Sequence, residues 1–401
     1  MPPETLVRAL EHPLPAGMRD LLPEEAAERR ALAKSVLDRI ALHGYAVVTL
    51  PVFEFAEVLE RGLGQLDPAD VLRFVEPESG EVAALRPDMT PQIARVVATR
   101  LRGRPPPFRL AYEGTVVRRR SGRARKHKQI PQVGAELAGV AGPEGDLELI
   151  ALTADCLRAS GLDRFTIDVG DAGIVRALLA SYGPEEREVV SDALARKDAA
   201  AVPDPVLRAT LDLSGGRDAI VDGVRLLAKT AAAGAVSRLL ALFDAAVSRG
   251  LGEHLMADVG EVRGFAYYTG AMFHAYAAGT GDAIGSGGRY DELLARFGFD
   301  LPAAGFALDL DRVREARIAA GVSERPLVRV AVVGGASAEK RATELRQRGL
   351  VAVVPAGSRA EARAWAAAWG FSHVLDDEQW VDARTGDTIG PPAQPGERGT
   401  I

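Results

Sequence analysis

From about residue 171 to 254 the chain reads as helix, interrupted by loops at Pro203-Asp-Pro205 and Gly215-Gly216, and strand-forming stretches stand on both sides of it. So long a helical excursion between strand-rich segments points to one main sheet that accepts an insertion, an α+β arrangement. Before it, Pro23-Glu-Glu opens a helix with proline and acid in the first turn, and Leu32, Val36 and Ile40 recur on one face until Gly44. Tyr45 to Glu54 reads as a buried strand whose Pro51 suits a sheet edge. Residues 71 to 86 read as a hairpin turning at Glu78-Ser-Gly80, Pro91 starts a helix to about Leu101, and strands follow at Phe108 to Val117 and Ile130 to Val140. Residues 144 to 160 are helical and Phe165 to Val169 is a strand. Strands return through 258 to 290, and Leu308 to Ile318 is a helix.

Pro326 marks a boundary. Beyond it strands at Val328 to Val333, Val351 to Val354 and His373 to Leu375 alternate with helices, one bearing Ala338, Ala342 and Leu345 and one from Arg359 to Trp369. That alternation predicts a small α/β domain with a parallel sheet. The expected division is a core over 1–325, this small domain over 326–389 and a disordered tail over 390–401. Trp365, Trp369 and Trp380 read as the small domain's core.

Composition narrows the function classes. With 401 residues, 47% hydrophobic and 26% charged, the chain can bury a large core. A formal net charge of -6 leaves polyanion binding to local basic patches. The single cysteine, Cys156, excludes an intramolecular disulfide framework and fits a reducing cytoplasm. No stretch is apolar for long enough to span a bilayer, and residues 1–20 lack the pattern of a signal peptide. None of the six histidines stands at ligand spacing from another His, Cys or acid on a recognisable element, so no metal or cofactor is expected.

Val262-Arg-Gly-Phe-Ala-Tyr-Tyr-Thr-Gly270 and Ser286-Gly-Gly-Arg-Tyr-Asp291 carry the strongest chemical signal. Arg263 offers a planar cation for a carboxylate or phosphate, Tyr267 and Tyr268 offer rings with hydroxyl tips, and Gly287 and Gly288 let backbone approach a ligand. Alternation through Phe265, Tyr267 and Thr269 reads as a strand, and the stretch of Gly279-Thr-Gly281 and Gly285-Ser-Gly-Gly288 reads as a hairpin turn more than as a phosphate cradle. An ordinary glycine-rich hairpin accounts for the same residues.

Leu85-Arg-Pro-Asp-Met-Thr-Pro91 sets Asp88 and Thr90 at the mouth of a helix, where they serve as caps or as acceptors for an ammonium group. Gln132 and Glu136, four apart on a strand, share a face suited to an amine or a ring nitrogen, or to internal hydrogen bonds. Arg118 to Lys128 is the strongest local positive field, a phosphate contact or a solvated hairpin tip, without aromatic residues for base stacking.

Taken in order, these segments resemble the catalytic core of class II histidyl-tRNA synthetases and their paralogue, the regulatory subunit of ATP phosphoribosyltransferase, over about residues 15 to 316. Pro15-Ala-Gly-Met-Arg-Asp20 resembles the family's opening, and Gly44-Tyr45 through Pro51 its dimer-forming first motif. Gly305-Phe-Ala-Leu-Asp-Leu-Asp-Arg312 resembles its third. The resemblance implies an antiparallel six-stranded sheet flanked by helices. It implies that Asp88, Thr90 and Gln132 hold the α-ammonium of histidine, that Glu136 and Tyr268, with Tyr267 beside it, read the imidazole, and that Arg263 faces the carboxylate. Arg118 matches the arginine that contacts the α-phosphate in the synthetases.

Departures separate the two relatives. Arg120 stands where the synthetase pattern has a glutamate that positions ATP, Pro131 replaces a histidine and Ala266 an aspartate. Asp309 replaces a glycine, placing a carboxylate where nucleotide must fit. The C-terminal domain resembles a shortened anticodon-binding domain, so tRNA binding is not expected. The resemblance therefore implies a non-catalytic regulatory subunit that binds histidine, self-associates and works with a short-form catalytic subunit. A divergent histidyl-tRNA synthetase and a free-standing histidine-binding paralogue are the alternatives.

Overall fold

The computed structural model describes residues 14–62, 70–119, 127–262, 267–322 and 328–392. Helix α1 (Pro23–Leu42) begins on a proline, whose absent N–H costs nothing in a first turn, and buries Leu32, Ala33, Val36 and Ile40. The strand expected over Tyr45 to Glu54 is two exposed strands, β1 (Ala46–Val47) and β2 (Phe53–Phe55). Pro51, lacking an N–H for a ladder, lies in the break between them, and the two join different sheets. After α2 (Ala56–Gly62), β3 (Arg73–Val75) and β4 (Val82–Leu85) form the expected hairpin, and β2 pairs with β4 to complete a three-stranded sheet.

Helix α3 (Thr90–Thr99) leads to the long strands β5 (Phe108–Val117) and β6 (Gln129–Ala138). Helix α4 (Pro143–Ala159) and β7 (Thr166–Asp171) precede the insertion. The insertion comprises α5 (Ala172–Leu178), α6 (Pro184–Ala195), α7 (Pro205–Thr210), β8 (Ser214–Gly215), α8 (Arg217–Leu227) and α9 (Ala233–Ala246). Strands β9 (Leu255–Asp258), β10 (Ala271–Tyr276), β11 (Gly285–Arg289) and β12 (Ala303–Asp309) return to the sheet, and α10 (Leu310–Ala319) follows. The expected hairpin turn lies between Tyr276 and Gly285, where Gly279-Thr-Gly281 stands, whereas Gly285 to Gly288, expected to belong to it, are strand.

Among the described residues the main sheet runs β1-β5-β6-β12-β11-β10-β7-β9-β8. Its six central strands, β5 to β7 in that order, are antiparallel, as the resemblance implies. Parallel pairs β1 with β5 and β7 with β9 make the whole sheet mixed. Strand alternation then divides the protein into two faces. Val133, Ala135 and Leu137 of β6 enter the large core with α1, α4 and α9, whereas Gln132, Gly134 and Glu136 point to the opposite face, beside a second core that includes Met89, Ile93, Tyr112 and Tyr290.

The chain divides into two compact units after Ser323. In the second, β13 (Arg329–Val333), α11 (Ala338–Gln347), β14 (Val351–Val353), α12 (Arg359–Ala368) and β15 (His373–Asp376) give the expected parallel sheet. An antiparallel strand that the sequence reading lacked, β16 (Gln379–Asp382), closes its edge. Trp365 and Trp369 are 38% and 50% exposed, which corrects their assignment to the core. Small residues at Ala362 and Ala366 form the buried face of α12 instead. The expected tail lies outside the described residues from 393 onward.

Candidate functional site

Glu136 is 3% exposed, on the face of β6 opposite the large core. Its Oε1 accepts hydrogen bonds from the Thr90 hydroxyl at 2.6 Å and the Tyr112 hydroxyl at 3.2 Å, and the Tyr290 hydroxyl donates to Oε2. The neighbouring strand makes room by carrying glycine: Gly305 pairs with Glu136, and a Cβ there would overlap the carboxylate. Burial pushes the Glu136 carboxyl well above the ordinary carboxylate range. The Thr90 and Tyr112 hydrogen bonds oppose that shift and the nearby Asp88 charge adds to it. A carboxyl held by hydroxyls, with no cation against it among the described residues, is suited to a ligand that brings a proton or a positive charge.

Asp88 and Thr90 reach this carboxyl from the start of α3. Asp88 Oδ1 accepts from the Thr90 backbone N–H at 3.2 Å, and its Oδ2 lies 3.7 Å from Arg118 Nη2. Arg118 also donates from Nε to the Pro87 carbonyl at 2.6 Å, which ties β5 to the segment before α3. Arg86, 6% exposed, fixes that segment further by donating to the carbonyls of Thr115 at 2.9 Å and Leu50 at 3.0 Å.

Tyr267 to Gly270 form a turn before β10, not the strand expected from alternation. A strand would send adjacent tyrosines to opposite faces. Here the two rings meet edge to face with centroids 5.3 Å apart, and Tyr267 lies equally close to Tyr290. The Tyr268 ring covers Gly288, where a Cβ would stand 2.8 Å from it, and its backbone carbonyl accepts from Arg176 Nη2 at 2.7 Å. Burial raises both phenols above their ordinary range. Among the described residues Gln132 Oε1 is buried without a hydrogen-bond partner, an arrangement that costs about 1–3 kcal/mol and that a polar ligand relieves.

The structure thus brings Thr90, Glu136, Tyr267 and Tyr268 to one face, with Asp88 and Arg118 at its rim and Gln132 further along β6. Arg263 lies outside the described residues, as do Arg120, Phe265 and Ala266. Sequence reasoning missed the roles of Tyr112, Tyr290, Arg86 and Gly305. Tyr290 did stand in the glycine-rich run already singled out, whereas Tyr112 sits in an apolar strand without local signal. Arg289, next to Tyr290, points to the opposite face, where it meets Asp146 at 2.8 Å.

Asp309, expected to project into nucleotide space, is the N-cap of α10, its Oδ1 accepting from the N–H groups of Asp311 at 3.1 Å and Arg312 at 3.3 Å. Arg312 in turn donates to Asp282 at 2.7 Å and to the Ala283 carbonyl at 2.7 Å. The third-motif arginine is therefore engaged inside the chain. Ligand oxygens of Asp168, Asp258 and Glu261 lie within 4.8 Å of one another, and the Lys197 ammonium stands 2.6 Å from Asp258.

Comparison with known proteins gives a consistent result. A family model described as histidyl-tRNA synthetase matches residues 17–313. The ATP phosphoribosyltransferase regulatory subunit of Moorella thermoacetica is 38% identical to this chain over 378 residues, covering 90% of this chain and 96% of that relative. The like-named protein of Anaeromyxobacter sp. (strain Fw109-5) is 41% identical over 333 residues, covering 79% and 96%. Among solved structures, an ATP phosphoribosyltransferase regulatory subunit/histidyl-tRNA synthetase from Bacillus halodurans superposes with a TM-score of 0.80 at 28% identity, over 90% of this chain and 97% of its own. Histidyl-tRNA synthetase from Nostoc sp. PCC 7120 shares the fold, with a TM-score of 0.75 at 19% identity over 94% and 95%.

Proposed function

The chain belongs to the histidyl-tRNA synthetase family, among the regulatory subunits of ATP phosphoribosyltransferase, and from that premise we propose that it binds histidine and conveys histidine abundance to a short-form catalytic subunit. The observation that carries the reading is the buried carboxyl of Glu136 in its cage of hydroxyls. An imidazole ring donates to it from nitrogen, with Tyr268 on the other side. Asp88, Thr90 and the unpartnered Gln132 Oε1 accept from the α-ammonium. Arg263 is assigned to the carboxylate on its chemistry alone. The chain performs no bond chemistry in this scheme. Histidine acts by favouring one quaternary state of the complex, so its affinity must differ between the active and the inhibited assembly.

Self-association belongs to the same proposal. The three-stranded sheet and its approach expose Val52, Phe53, Phe55, Phe74, Val75 and Val82, an apolar surface suited to a second copy of the chain.

Calorimetry with histidine tests the pocket directly. Wild-type chain binds, and Glu136→Ala and Tyr268→Ala abolish binding while the folded circular-dichroism spectrum remains; unchanged affinity in either variant removes its assignment. Co-expression with the short-form catalytic subunit tests the regulatory role, since phosphoribosyl transfer to ATP then depends on this chain and falls when histidine is added. Arg118 and Arg312 favour a second reading, a divergent synthetase. Robust histidine-dependent exchange of pyrophosphate into ATP by the purified chain would establish that reading, and its absence is expected because Arg312 is engaged by Asp282.

A further inference from the structure

Tyr290 and the turn bearing Tyr267 and Tyr268 share one anchor, and its side chain lies on the other side of the sheet. Tyr290 follows Arg289 at the end of β11, and the Arg289 carbonyl accepts from the Thr269 N–H at 2.7 Å. Thr269 Oγ1 accepts in turn from the Asp291 N–H at 2.9 Å, so the turn is tied to the chain on both sides of Tyr290. Gly270 leaves space for the arginine stem: a Cβ there would stand 3.2 Å from Arg289 Cδ.

The guanidinium fixes this anchor in place. Arg289 is 6% exposed, and its Nε and Nη2 both stand 2.8 Å from Asp146 Oδ1. Nη2 also donates to the Gly142 carbonyl at 2.7 Å, and Nη1 donates to Asp291 Oδ1 at 3.0 Å and to the Val140 carbonyl at 3.2 Å. Val140 and Gly142 belong to the loop that follows β6, the strand of Glu136, and Asp146 stands in the first turn of α4. One planar cation thus fastens the strand end that carries Tyr290 to the loop that leaves the strand carrying Glu136. On the pocket side those two residues meet, the Tyr290 hydroxyl donating to Glu136 Oε2.

We infer that Arg289, held by Asp146, is a positioning residue for the histidine pocket: it sets the separation between the Glu136 carboxyl and the tyrosines around it, so histidine affinity depends on an ion pair on the opposite face of the sheet. This inference rests on the proposed histidine site. Asp146 also makes the dependence a function of pH. Burial pushes its carboxyl up to about 6, Arg289 opposes the rise, and the charges of Asp291 and Asp171 add to it. Arg238 lines the same cleft, whose volume of 390 Å³ admits water, so Asp146 exchanges its proton with solvent. Only the carboxylate gives the guanidinium a charge-assisted bond, so the tie is full above about 6 and weakens as pH falls through that value.

Asp146→Asn keeps an oxygen for the arginine and removes the charge. At about pH 8 its dissociation constant for histidine, measured by calorimetry, should exceed that of the wild type by about tenfold, a usual coupling between sites. The ratio of the two constants should fall toward one at about pH 5, where the wild type has lost the same charge, and the ionisation of histidine itself cancels in that ratio. Arg289→Lys, with one ammonium in place of a fork, should weaken binding by a similar factor at the higher pH while still unfolding cooperatively; the Asp146→Asn series decides should that variant not fold. A ratio near one at the higher pH, or a raised ratio that does not change with pH, overturns the inference and leaves the histidine site intact, as does wild-type affinity in folded Arg289→Lys. Failure of the wild-type chain to bind histidine overturns the proposed function and this inference together.

Discussion

At the scale of single residues the site turns on one buried acid. Glu136 was legible because its spacing from Gln132 put both on one strand face, but Tyr112 and Tyr290 were not, since only the pairing of β5, β6 and β12 with β11 brings their hydroxyls to it. Its pH behaviour follows from the direction of its shift. The folded chain keeps the Glu136 proton at pH values where the unfolded chain, with a carboxyl pKa near about 4.3, has released it. Stability is therefore full below that value and declines as pH rises toward the raised one. Thermal unfolding across pH should show this decline in the wild type and a flatter profile in Glu136→Gln; equal slopes would mean that Glu136 is ionised when folded. Gly305→Ala tests the room made for the carboxyl. Its methyl overlaps Glu136, so histidine binding by calorimetry should weaken by more than about tenfold, well over the 1.4 kcal/mol that a factor of ten represents.

At the scale of elements, periodicity located most helices and strands and failed where a neighbour in space set the backbone. Tyr267 and Tyr268 alternate like strand residues, yet both rings enter one cluster, so the chain turns there. Gly285 to Gly288 carry the composition of a turn but lie in a strand, where a Cβ on Gly288 would meet the Tyr268 ring and one on Gly287 the Phe273 ring. Asp309, read from the sequence only as an obstruction to nucleotide, has a structural role as a helix cap that the reading did not include. Asp309→Ala should destabilise the chain by about 1 kcal/mol in urea unfolding, the usual worth of such a cap. No loss would indicate that the first turn of α10 is secured by other contacts.

At the scale of the whole molecule the chain is two units with separate cores, joined near residue 323. A chain ending at Val322 should fold and keep wild-type affinity for histidine by calorimetry, because every described residue assigned to the pocket lies in the first unit. A large loss would assign the second unit a part in the site. Phe74→Glu should shift the chain toward monomer in sedimentation velocity if the three-stranded sheet joins two copies, since a buried uncompensated carboxylate opposes association. The sequence by itself determined the α+β class, the helical insertion, the alternation of the C-terminal unit and the polar residues fit for an amino acid, because periodicity and residue chemistry are local properties. Only the tertiary structure decided that Glu136 is shut among three hydroxyls, that Arg312 is engaged within the chain, and that Lys197 reaches Asp258. Those facts depend on which strands are neighbours and on how far each side chain is removed from water, and neither is written in any one segment.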